Sequence, residues 1–174
     1  MTAQPDGPPE KWVLLTYRLP REPSTPRITV WRKLRRLGVA QLSDGLVALP
    51  ADARTREQLE WIAGEVREAA GNAGVWLARP VTLAQERELA AAMTAARVQE
   101  YQAVREQADS ARALPPGEWR RIVARLRGEL HAIRRRDFFP PSEREAAITA
   151  VEELAAASVQ AAPPETPTPA QGRT

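Results

Sequence analysis

Seven cationic side chains crowd one short stretch: Arg18, Arg21, Arg27, Arg32, Lys33, Arg35 and Arg36. With Lys11 they make eight Lys/Arg in residues 11–37, against Glu22 as the lone acid. Guanidinium and ammonium groups recruit anions, and several near a duplex release counterions and bind it in a salt-sensitive way. The whole chain carries a net charge of only +3. A polyanion would therefore respond to the local field of this cluster, not to total charge. The blander account is a solvated helix face, which is what charge runs usually are. A second cluster spans residues 118–136, with seven Arg against Glu118 and Glu129. Its Arg134-Arg135-Arg136 run sits where cations complement the negative end of a helix dipole.

Little else could do chemistry. His131 is the single histidine and there is no cysteine, so the usual zinc sets and catalytic triads cannot be assembled. Asp44 precedes Gly45 between two apolar runs, where Asp serves the turn. No glycine-rich phosphate loop, nucleophile elbow or paired-carboxylate spacing is present. The expectation is a protein that is not an enzyme, with no cofactor and no metal site.

The elements that must position the cations follow from periodicity. Trp12–Arg18 is a continuous apolar run ended by Leu19-Pro20 and reads as a buried strand. Pro23, Ser24, Thr25 and Pro26 set up a helix start, with Ser24 or Thr25 as cap. The helix runs over Arg27–Leu37, with Val30, Trp31, Leu34 and Leu37 on one side and Arg32, Lys33 and Arg36 on the other. Gly38 stops it. Val39–Leu42 and Leu46–Leu49 flank Ser43-Asp44-Gly45 as a hairpin; the rival is a loop at Val39–Leu42. Thr55 and Gln58 read as a capping box before a helix reaching about Ala70, with Leu59, Ile62, Val66 and Ala70 as its stripe. Val75–Ala78 is a fourth strand.

The order strand, helix, strand, strand, helix, strand predicts an α+β fold, a ferredoxin-like βαββαβ domain over residues 11–80. An all-helical segment of three helices follows over 81–158. Thr82 and Gln85 cap the first, which carries Leu89, Met93, Tyr101 and Val104. Trp119, Ile122, Leu126, Leu130 and Ile133 mark the second. Ser142 and Glu145 cap the third, with Ile148, Val151, Leu154 and Ala155 inward. Between the last two, Asp137-Phe138-Phe139 reads as a plug in a core gap. Residues 1–10 and 159–174 read as disordered by composition.

With 43% hydrophobic residues the chain can build a core, and its five Trp are expected to anchor it. The N-terminus lacks the basic start and apolar stretch of a signal peptide, and no run is long enough to span a bilayer. The expectation is a cytoplasmic protein with no membrane partner.

The segments WVLLTYRLP (12–20), RxxVWRKLRRLG (27–38), LSDGLVALP (42–50) and IRRRDFF (133–139), in this order and spacing, resemble the N-terminal domain family of the chromate-resistance protein ChrB. The first portion more distantly resembles the ferredoxin-like domain of phenylacetate-pathway repressors and the small subunit of CRISPR spacer integration. Tyr17-Arg18-Leu19 offers no acid to hold a metal, so nuclease activity is not expected. The ChrB resemblance implies a transcriptional regulator, a repressor of an operon that includes a chromate efflux pump. Arg18, Arg27, Arg32, Lys33 and Arg36 are the matched DNA-contact candidates. Full-length relatives are similar to this chain followed by a second domain, so a separate protein is expected to supply the sensor. The turn from Arg18 through Arg21 to Arg27 could hold a tetrahedral oxyanion such as chromate. The alternative function is a non-enzymatic interaction module that docks a sensor domain or forms a homodimer through the helical segment.

Overall fold

The computed structural model describes residues 11–161. The expected disordered ends, 1–10 and most of 159–174, lie outside them. The fold is α+β, with four strands in one antiparallel sheet and five helices among the described residues. In chain order these are β1 (Trp12–Arg18), α1 (Ser24–Leu37), β2 (Ala40–Ser43), β3 (Leu46–Pro50), α2 (Ala53–Glu68), β4 (Asn72–Ala78), α3 (Leu83–Ala111), α4 (Pro116–Arg134) and α5 (Glu143–Gln160). The sheet order is β2-β3-β1-β4. The rival three-stranded sheet is excluded, because β2 pairs with β3 across the turn at Asp44-Gly45, with a bulge between Gln41 and Ser43.

The chain forms two compact units. Among the described residues, one holds 11–99 together with Ala132–Pro141; the other holds Glu100–His131 and residues 142–161. In the first, side chains alternate across the sheet. Val13 and Leu15, with Leu49 and Val47 opposite them on β3, face α1 and α2 and pack with Val30, Leu34, Leu59, Ile62, Ala63 and Val66. Trp12 and Leu14 point to the other face. There Met93, Leu89 and Phe139 complete the core, with the Trp12 and Phe139 rings 6.3 Å apart. Phe138 is half-buried, with the Arg54 guanidinium 5.8 Å from its ring. The second unit buries Tyr101, Val104, Val123, Leu126, Val151 and Leu154. Arg112 pairs with Glu153 at 2.8 Å and Arg127 with Glu152 at 2.6 Å on its surface.

Several local expectations need correction. Helix α1 begins at Ser24, not Arg27; Pro23 occupies the cap position and neither Ser24 nor Thr25 caps it. Thr55 is not a cap but the third helical residue. Asp52 is the cap: its Oδ1 accepts from the Thr55 N–H at 2.6 Å, and Thr55 Oγ1 accepts from the Asp52 N–H at 2.9 Å. A carboxylate three residues earlier simply outcompetes the hydroxyl for that role. Ser142 makes no capping bond, because its backbone is already helical and its hydroxyl turns to Glu143. The Thr82–Gln85 box does form. Of the five Trp only Trp12 is fully buried; Trp31, Trp61 and Trp76 are exposed and Trp119 is half-buried. Trp31 follows Val30 by roughly 100° around the helix, which turns it off the buried stripe.

Ala70 also leaves its predicted stripe. It stands past the end of α2 at φ 58°, where its N–H bonds Arg67 O and the Gly71 N–H bonds Val66 O. This is the Schellman arrangement with alanine in the left-handed position that glycine favours. The conformation costs alanine roughly 1–2 kcal/mol, part of which glycine would return as extra unfolded-state freedom. Ala70→Gly is therefore expected to stabilise the protein by about 0.5–1 kcal/mol in urea unfolding.

Candidate nucleic-acid interface

The seven sequence-predicted cations do not form one surface. The side chains of Arg18, Arg27 and Arg32 line a cleft of about 950 Å³ between the end of β1, the first turns of α1 and the β2–β3 hairpin. Tyr17, Leu19, Ser24, Ile28, Trp31, Gln41 and Asp44 complete it. The helical period explains the grouping: Ser24, Arg27, Ile28, Trp31 and Arg32 fall on one flank of α1, about 100° apart per residue. Lys33 and Arg36 fall on the opposite flank, beside Glu57, Trp61 and Glu65 of α2. There Lys33 is ion-paired with Glu65. Arg35 stacks on Trp31, its guanidinium 4.9 Å from the ring centroid. Arg21 is exposed and is not part of the cleft lining, so the expected oxyanion set is brought together only at Arg18 and Arg27.

Two features fix the character of the cleft. Arg18, Arg27 and Arg32 are exposed, and none has an ion-pair partner among the described residues, whereas many other arginines do. No acid occupies the first turn of α1. Asp44 is the one carboxylate in the lining, held in the turn that Gly45 makes possible. Gly45 sits at φ 74°, its carbonyl accepts from the Tyr17 N–H at 2.7 Å, and an added Cβ would lie 2.4 Å from Tyr17 O. The hairpin is thereby clamped to the end of β1, and the cleft has a fixed wall.

Burial, and then the charge of Asp44, push the Tyr17 phenol above its ordinary value of 10.0. An acid whose folded value is raised binds its proton more tightly when folded. Its contribution is complete below pH 10 and is lost as pH rises through the folded value. Unfolding measured between pH 9 and 11.5 is expected to show stability falling along this limb. Tyr17→Phe should flatten that fall, and an unchanged slope in Tyr17→Phe would contradict it.

His131 is exposed, and among the described residues no group of His, Cys, Asp and Glu is placed to hold a metal ion. Among the same residues no helix is long and apolar enough to cross a membrane. Sequence reasoning missed the aromatic side of the cleft. The helical period places Trp31 beside the core stripe, and Tyr17 and Gln41 carry no signal in sequence because the hairpin alone brings them to the cleft.

A family model described as Protein ChrB, N-terminal, matches residues 27–112. The match takes in α1 with Arg27 and Arg32. Protein ChrB of Cupriavidus metallidurans is 31% identical over 144 residues, covering 80% of this chain and 44% of that protein. The chain thus spans less than half the length of this relative.

Proposed function

Because the chain belongs to the ChrB N-terminal domain family, we propose that it serves chromate resistance as a DNA-binding transcriptional regulator, a repressor of the operon that encodes it. The observation that carries this reading is the convergence of Arg18, Arg27 and Arg32 on one cleft without ion-pair partners among the described residues. Unpaired guanidinium groups held on a helix and a strand end are poised for phosphate oxygens, which they bind in a bidentate, charge-assisted way. Lys33, already paired with Glu65, has less to give to a phosphate. Arg35, stacked on Trp31, flanks the cleft from outside its lining and adds to the field, while Arg36 lies on the other flank of α1. The ferredoxin-like reading of the first unit is supported by its βαββαβ order and its β2-β3-β1-β4 sheet.

The test is fluorescence polarisation of the full chain on the duplex upstream of its own operon, across a series of salt concentrations. Affinity that falls steeply with salt, and a specific-over-random ratio well above one, are the expected results. Absent or salt-independent binding would sink the reading.

A further inference from the structure

We propose that the cleft is a pocket for one unpaired nucleotide, with the base stacked on Trp31 and its phosphates held by Arg18, Arg27 and Arg32. This rests on the reading of the cleft as a nucleic-acid contact and names which form of nucleic acid fills it. Trp31 is half exposed although it is among the largest apolar side chains on α1. The Arg35 guanidinium covers one side of its ring. Arg35 is not in the cleft lining and Trp31 is, so the stack holds an indole that is half exposed and still part of the cleft wall. An aromatic face beside three cations is what a single-stranded nucleic-acid site requires, since every base has a π-face and every linkage a phosphate.

A duplex cannot use this feature. Its bases are stacked on one another, and a recessed ring has nothing to lie against. The cations alone would suffice for a duplex backbone. Here they line a recess whose volume suits a small organic ligand. The same lining offers Gln41 and Asp44, an amide and a carboxylate able to meet the hydrogen-bonding edge of a base. Tyr17 supplies a second ring in the same lining. An unpaired nucleotide satisfies the phosphate, ring and edge groups together; inorganic anions satisfy only the first.

The experiment compares a labelled oligothymidylate of eight nucleotides with the operator duplex, using the full chain and Trp31→Ala. Trp31→Ala is expected to weaken the single strand by about tenfold or more, a clearly larger factor than it weakens the duplex. Trp31→Phe should restore most of the loss. Thymidine monophosphate should compete for the oligonucleotide better than inorganic phosphate at equal concentration. Circular dichroism of Trp31→Ala checks that the fold is kept. If the duplex binds but Trp31→Ala leaves the single strand unaffected, the nucleotide pocket is wrong and duplex regulation stands. If the single strand binds through Trp31 and the duplex does not bind at all, the pocket stands and duplex regulation falls. Equal competition by inorganic phosphate also overturns the pocket, since it would then read the anion alone.

Discussion

Replacing Arg18, Arg27 and Arg32 together by alanine is expected to flatten the salt dependence of operator binding and to cost on the order of a hundredfold in affinity at physiological salt. Each phosphate contact contributes about 0.9 to the slope of log Kobs against log salt concentration. Losing three should reduce that slope by about 2.7. The three side chains are exposed and take part in no ion pair among the described residues, so their removal should leave stability nearly unchanged. Lys33→Ala is the informative companion. Lys33 carries the same charge on the same helix, yet it is engaged by Glu65 across to α2. Its removal should lower the slope much less than removal of any one cleft arginine. A triple variant with the parent slope, or a Lys33→Ala variant as damaging as the triple, would show that the contact surface lies elsewhere on α1.

Trp12→Ala is expected to cost about 3–5 kcal/mol in urea unfolding, a large share of the roughly 5–15 kcal/mol that holds a domain together. Trp12 is 1% exposed and opens the central strand β1 on the sheet's second face, against Phe139. Its truncation leaves a cavity that neither the strand ladder nor α3 can collapse to fill. Trp12→Phe should cost only about 1 kcal/mol. It keeps most of the apolar volume and deletes an indole N–H that is buried without a protein hydrogen-bond partner. Cost below 1 kcal/mol for Trp12→Ala would contradict this placement of Trp12 in the core.

The order of elements was legible because each carries its own signal. The run at Trp12–Arg18, the stop at Gly38, the Asp44-Gly45 turn and the Thr82–Gln85 box all depend on near neighbours alone. What failed was mostly competition between local alternatives. Asp52 and Thr55 are both good caps, and only the path out of β3 decides between them. Trp31 sits on the border of the α1 stripe, where a shift of one residue separates core from solvent. The division of the cations was hidden for a different reason. Lys33 and Arg32 are adjacent in sequence, but one meets Glu65 from a helix that follows some thirty residues later, and the other meets a hairpin. The cleft itself depends on Tyr17 and Gly45 being joined through their backbones, which no pattern of side-chain types reports.

The unit that carries the sheet is interrupted in sequence. Its core is closed by Leu89 and Met93 from the first part of α3 and by Phe138 and Phe139, which follow the end of α4. Everything between Glu100 and His131 belongs to the other unit. The sheet unit is therefore host to a topological insertion. The strand and helix pattern ends at residue 80, and the family match ends at 112. Neither is a place where the chain can be cut, since a fragment ending there loses the two phenylalanines and uncovers Trp12. A piece that keeps the whole sheet unit must continue to Pro141. It then carries α4 along with it, so the sheet unit is not separable by truncation from the helix that interrupts it.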